Sequence, residues 1–215
     1  MTRPDAVLFD YWRSTASWRV RIALNLSGLR WESRFVNLLN AEQCGADHIA
    51  RNPQGLVPVL EIDGIRLTQS LAILDYLEAT GRTRLVPEGP AQAAYMRAIA
   101  HAIACDLHPV CNLRVVAYAA GLTGDQETRG EWMRHFIRPG LEAVEVMLDS
   151  VGPFCLGADL TQADLCLVPQ VYNAARWGVE LDRLPKVRRV VDACSQLSAF
   201  SNAAADAIGP PAIEH

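Results

Sequence analysis

The apolar pattern of this chain changes once, at a stretch containing Pro87, Gly89 and Pro90 between residues 81 and 90, and that change restricts it to two differently built parts. Ahead of the stretch, residues 6–11 (AVLFDY) read as a buried strand, and residues 14–26 as a helix with Trp18, Ile22 and Leu26 on one face. Residues 32–38 alternate as a second strand. Residues 59–62 and 65–67 form two short strands joined by a hairpin turn at Asp63 and Gly64. Leu71, Ile73, Leu74 and Leu77 then give a helix that begins at Ser70 and stops near Gly81. Beyond the stretch only long helical periodicity persists, over residues 91–120, 125–150, 161–177 and 185–197. Thr161 with Asp164 three positions on makes a capping box for the third of these. The expected architecture is α/β plus all-α: a mixed domain over residues 1–81, a linker over 82–90 and a helical domain over 91–215.

A chain of 215 residues has room for two cores. Its 20 Lys and Arg against 24 Asp and Glu leave a net charge of -4, which gives nucleic acid no general attraction. No apolar run approaches the roughly 20 residues that span a bilayer, so no membrane partner is expected. The first ten residues lack the apolar core of a secretory signal, and the expected compartment is the cytoplasm. The six cysteines include no CxxC pair and read as reduced thiols rather than a dithiol redox centre.

Five motifs follow one another along the chain: STASWRVRIAL from Ser14, NPQGLVPVL from Asn52, TQSLAILDYL from Thr68, CDLHP from Cys105 and TQADLCLVPQV from Thr161. The first resembles the signature SSCxWRVRIAL of the zeta class of glutathione transferases, and together they resemble the maleylacetoacetate and maleylpyruvate isomerases of that class. The resemblance implies an N-terminal thioredoxin-like domain, a C-terminal helical bundle, glutathione as cofactor, a small dicarboxylate as substrate and a homodimer.

The residues have physical readings beside the resemblance. A thiol of ordinary pKa near 8.5 is mostly protonated at neutral pH, so an enzyme that uses its sulfur must stabilise the thiolate. Unpaired N–H groups at a helix start and a serine hydroxyl do this. Ser14 alone is an ordinary N-cap; the resemblance makes it the thiolate ligand, with Thr15 beside it. Pro58 alone can be a trans residue at a strand start, and the resemblance implies a cis Val57–Pro58 bond with Val57 pairing with the cysteinyl part of glutathione. Gln69 and Ser70 open a helix, where a hydroxyl and free N–H groups suit the γ-glutamyl carboxylate.

Two carboxylates on the substrate call for guanidinium groups, and Arg13 and Arg176 are the candidates. Arg19 and Arg21 read as structural ion-pair or interface residues. His101, Cys105, His108 and Cys111, at spacings of four, three and three, fall on one helix face and mimic a metal site. One straight helix cannot converge them on an ion, so no metal is expected; Pro109 is expected to kink that helix. The resemblance implies that His108 and Asn112 touch substrate. Ala16 departs from the signature, which has cysteine there, and counts against reductive dehalogenation. An Ala16→Cys variant is expected to isomerise within about threefold of the parent rate; a large gain in a steady-state assay would contradict that reading.

Overall fold

The computed structural model describes residues 4–210, which divide into one unit of residues 4–84 with 197–210 and another of residues 85–196. The division falls inside the expected linker. Residues from 197 on, expected in the helical domain, belong to the first unit instead. Two side chains of the first helix hold them there: Arg21 Nε donates to Ala203 O at 3.0 Å and Asn25 Nδ2 to Ala199 O at 3.0 Å.

The first unit is a four-stranded sheet in the order β2-β1-β3-β4, from strands β1 (Ala6–Asp10), β2 (Trp31–Phe35), β3 (Val59–Ile62) and β4 (Ile65–Thr68). Strands β1 and β2 are parallel across helix α1 (Thr15–Ser27), and β1 and β4 flank β3 antiparallel. The hairpin turn at Asp63 and Gly64 takes positive φ at both residues, 52° and 78°, the conformation that joins two strands with two residues. Short helix α2 (Ala46–Ile49) precedes β3, and helix α3 (Ser70–Ala79) follows β4.

Helix α1 does not present one apolar stripe. Leu26 is 37% exposed, whereas Ser17 to Leu24 are all buried, Arg19 and Arg21 among them. The reason is that α1 is covered by α3 and by the short helix α10 of residues Ser198–Ser201. Arg21 meets this burial with an ion pair to Asp10 at 2.7 Å. Desolvation pulls its pKa below the ordinary arginine value and Asp10 offsets part of that shift; a guanidinium, ordinarily charged at any physiological pH, stays charged here.

In the second unit the expected helix over residues 91–120 is broken. Helix α4 (Pro90–His101) runs into a π-helical stretch, Ala102–Leu107, then the short α5 (His108–Val110), and α6 (Leu113–Thr123) starts afresh. Pro109 has no N–H to donate, the turn closes through Cys111 N to His108 O at 3.2 Å, and extended Asn112 caps α6 by accepting from Arg114 N at 3.1 Å. Helices α7 (Thr128–Met147), α8 (Gln162–Arg176) and α9 (Pro185–Ser195) complete the unit. Helix α8 is its core, buried from Gln162 to Leu167 and packed on α4, α7 and α9.

The capping box is present. Asp164, fully buried, accepts from Thr161 N at 2.8 Å, Thr161 Oγ1 at 2.9 Å and Cys155 N at 2.8 Å. The loop that delivers Cys155 is backbone packed on backbone: a Cβ at Gly152, whose φ is 90°, would collide with the Gly157 carbonyl. Removing the carboxylate strands three buried donors, each costing about 1–3 kcal/mol. Asp164→Ala is therefore expected to lower stability in urea denaturation by at least about 3 kcal/mol; a loss below about 1 kcal/mol would contradict this account of α8.

Candidate active site

Ser14 is the N-cap of α1, in extended conformation, and its Oγ accepts from Ser17 N at 3.2 Å. That bond occupies the oxygen as acceptor and leaves the hydroxyl proton for another acceptor. No acidic residue stands in the first turn of α1, whose positive end favours an anion. Thr15 is buried directly beside Ser14. An anionic sulfur at this point would meet a hydroxyl donor and the helix N–H groups together.

The Val57–Pro58 bond is cis, as the resemblance implies. Strand β3 begins only at Val59, so the peptide groups of Val57 lie outside the ladder. The residue before it is pinned: Leu56 O accepts from Asn52 Nδ2 at 2.8 Å and from His48 Nε2 at 2.9 Å, which fixes the His48 proton on Nε2. This double anchor was missed in the sequence. Asn52 heads the motif, but nothing in the pattern points either side chain at a carbonyl.

Gln69 precedes α3 with φ 68° and ψ 117°, a conformation that costs a non-glycine residue about 1–3 kcal/mol. Its Nε2 donates to Gln54 Oε1 at 2.7 Å. Ser70 is buried, and its Oγ accepts from Arg19 Nη1 at 3.2 Å, which again frees the hydroxyl proton. Like α1, α3 has no acid in its first turn. Arg19, expected as an ion-pair or interface residue, thus links the starts of α1 and α3. Two non-acidic helix starts, each with a serine hydroxyl ready to donate, and a strand-free peptide fit a ligand with a thiolate, a carboxylate and an amide backbone.

Arg13 is half-buried. Its Nη2 donates to the Tyr11 hydroxyl at 3.2 Å, and its guanidinium lies 4.5 Å from the Trp12 ring centroid. None of the ion pairs among the described residues uses it. The other expected substrate residues lie in the second unit. Arg176 is exposed in the last turn of α8, also outside those ion pairs, and His108 and Asn112 are half-buried on either side of the α5–α6 break. The four-residue stripe is not a single face: the π-helical stretch rephases it, leaving His101 and Cys105 exposed and Cys111 buried, and among the described residues no cluster suits a metal. Burial pushes the Cys111 thiol up to about 11, so it stays neutral.

The description "Glutathione S-transferase, N-terminal domain" matches residues 4–79. Over 210 residues the chain is 52% identical to the maleylacetoacetate isomerase of Rhizobium meliloti (strain 1021), covering 96% of this chain and 99% of that one. It belongs to the zeta-class glutathione transferases, in the maleylacetoacetate isomerase family. Its fold matches the holo structure of a maleylpyruvate isomerase, described as a bacterial glutathione S-transferase of the zeta class, with a TM-score of 0.91, 37% identity and coverage of 96% and 99%. It also matches maleylacetoacetate isomerase from Methylobacterium extorquens AM1 with bound malonate and glutathione, with a TM-score of 0.90, 38% identity and coverage of 95% and 98%.

The geometry gives Ser14 a test of its own. A Ser14→Ala variant is expected to lose about a hundredfold in kcat while its KM for glutathione moves by less than about threefold. Equal losses in both constants, measured under steady-state conditions, would mean that Ser14 only helps to hold the tripeptide.

Proposed function

We propose that this chain is a glutathione-dependent cis–trans isomerase that converts maleylacetoacetate to fumarylacetoacetate in tyrosine and phenylalanine breakdown. The observation that carries the reading is the seat at α1: a serine hydroxyl with its proton to spare, at a helix start with no acid in its first turn, one residue from a guanidinium that no carboxylate of the described residues pairs with. Glutathione, when bound, would supply a nucleophilic sulfur for reversible addition to the alkene, the chemistry that lets a cis double bond turn without net consumption of the thiol.

The chain's own residues prepare this chemistry. Ser14 donates to the sulfur and, with the α1 N–H groups, favours its anionic form; each pKa unit gained corresponds to about 1.4 kcal/mol. Thr15 supports Ser14, Val57 pairs through its peptide groups with the cysteinyl part, and Gln69 with Ser70 holds the γ-glutamyl carboxylate. Arg13 and Arg176 take the substrate carboxylates, with His108 and Asn112 as further substrate contacts, and the arginines also favour negative charge that develops toward the carbonyl. The protein is proposed to act as a homodimer in the cytoplasm; no described helix is long and apolar enough to cross a membrane.

Maleylpyruvate, an intermediate of gentisate breakdown, is the second reading, supported by the likeness to a maleylpyruvate isomerase. A general conjugating transferase would favour an apolar acceptor pocket, which Arg13 and Arg176, outside the ion pairs of the described residues, disfavour as substrate contacts. Ultraviolet-monitored isomerisation of both cis acids separates these readings. The expected result is faster turnover of maleylacetoacetate, dependence on glutathione, and no net glutathione consumed. Arg176→Ala is expected to raise the KM for the dicarboxylate about tenfold with little change for glutathione. Turnover without glutathione, or stoichiometric loss of its thiol, would overturn the proposal.

A further inference from the structure

The guanidinium of Arg21 takes no part in the chemistry above, yet it is bonded to the backbone on every side of the turn that leads to Ser14. Its Nη1 donates to Asp10 Oδ2 at 2.7 Å and to Tyr11 O at 3.4 Å, its Nη2 to Trp12 O at 2.9 Å, and its Nε to Ala203 O at 3.0 Å. Asp10 ends β1, Tyr11 and Trp12 lead into Arg13, and Ala203 lies just beyond α10. Asp10 is held in turn by the Ser33 hydroxyl of β2, and Tyr11 O also accepts from Ser14 N at 2.8 Å. One fully buried fork therefore ties the end of the central strand, the turn and the C-terminal segment together. That segment is tethered a second time by Asn25 and packs the buried Phe200 into the unit.

We propose that Arg21 is a positioning residue that fixes the Ser14 hydroxyl and the first turn of α1 against the bound sulfur, and that the C-terminal segment acts on the active site through it. The proposal rests on the glutathione reading of Ser14. A hydrogen bond to a charged acceptor weakens steeply with misplacement, so the anchoring of the turn determines how far the helix start can stabilise a thiolate. The fork geometry of arginine is essential. A lysine can match the charge of Asp10, but its three N–H donors radiate from one nitrogen and cannot also span Trp12 O and Ala203 O.

The test uses the full-length chain and its Arg21→Lys, Asn25→Ala and Trp31→Phe variants. Ultraviolet thiolate absorbance is titrated against pH with saturating glutathione, alongside kcat and KM for glutathione. Arg21→Lys is expected to keep its glutathione KM within about threefold, to raise the pKa of the bound thiol by about one unit, and to lower kcat at neutral pH about tenfold. Asn25→Ala, which removes the bond to Ala199 O and the one accepted from Trp31 Nε1 at 3.1 Å while leaving Arg21 and the turn unchanged, is expected to shift the titration in the same direction by less, and Trp31→Phe, which removes only the Trp31 bond, is expected to leave it unmoved. A folded Arg21→Lys with the parent titration overturns the proposal. If that variant does not fold, an unmoved titration in Asn25→Ala overturns it. Absence of any thiolate signal in the parent protein would instead overturn the reading of Ser14, so the two failures are distinguishable.

Discussion

The first N–H groups of a helix have no partners within it, and at α1 the Ser14 side chain takes up that of Ser17. The first turn at the positive end of the helix dipole holds no acid, and the hydroxyl beside it already accepts from Ser17 N and keeps its proton to donate. What remains is a demand for an anion. The start of α3 repeats the arrangement with Ser70, whose oxygen is occupied by Arg19. Other parts of the first unit serve to hold these two starts in place: the ion pair of Asp10 with Arg21 inside, the paired anchor on Leu56 O, and the strained Gln69.

Burying Arg19 and Arg21 in one helix is expensive, since desolvating a charge in an apolar interior costs several kcal/mol unless good geometry offsets it. Arg21 meets that cost with a carboxylate and three carbonyls, and the same bonds make the turn before Ser14 rigid. The bonds that satisfy the buried guanidinium are thus the same ones that hold the turn before Ser14. In the second unit the corresponding feature is Asp164, whose carboxylate starts α8 by gathering donors from Thr161 and Cys155 and so determines where that helix, with Arg176 in its last turn, begins.

Much of this was legible in the sequence, for identifiable reasons. Strands at 59–62 and 65–68 are bounded by Asp63 and Gly64, whose preference for positive φ marks the turn, and Thr161 with Asp164 marks a helix start by local chemistry alone. Ser14 and Ser70 were visible as caps, and the motifs raised them to ligands. What was not legible depends on distant partners. The all-round burial of α1 needs α3 and α10 to be seen, and the return of residues beyond 197 to the first unit rests on backbone carbonyls of Ala199 and Ala203, which carry no side-chain signature. The break at residues 102–112 was reduced in the sequence to a kink at Pro109. A π-helical stretch leaves no periodicity in six residues, and it undid the stripe of His101, Cys105, His108 and Cys111.

The central claim is that an anionic sulfur is held at the start of α1. A crystal structure of the protein with glutathione tests it most directly. The account predicts the sulfur within about 3.5 Å of Ser14 Oγ and the γ-glutamyl carboxylate against Ser70. A tripeptide bound elsewhere, or bound with its sulfur turned away from Ser14, would contradict it.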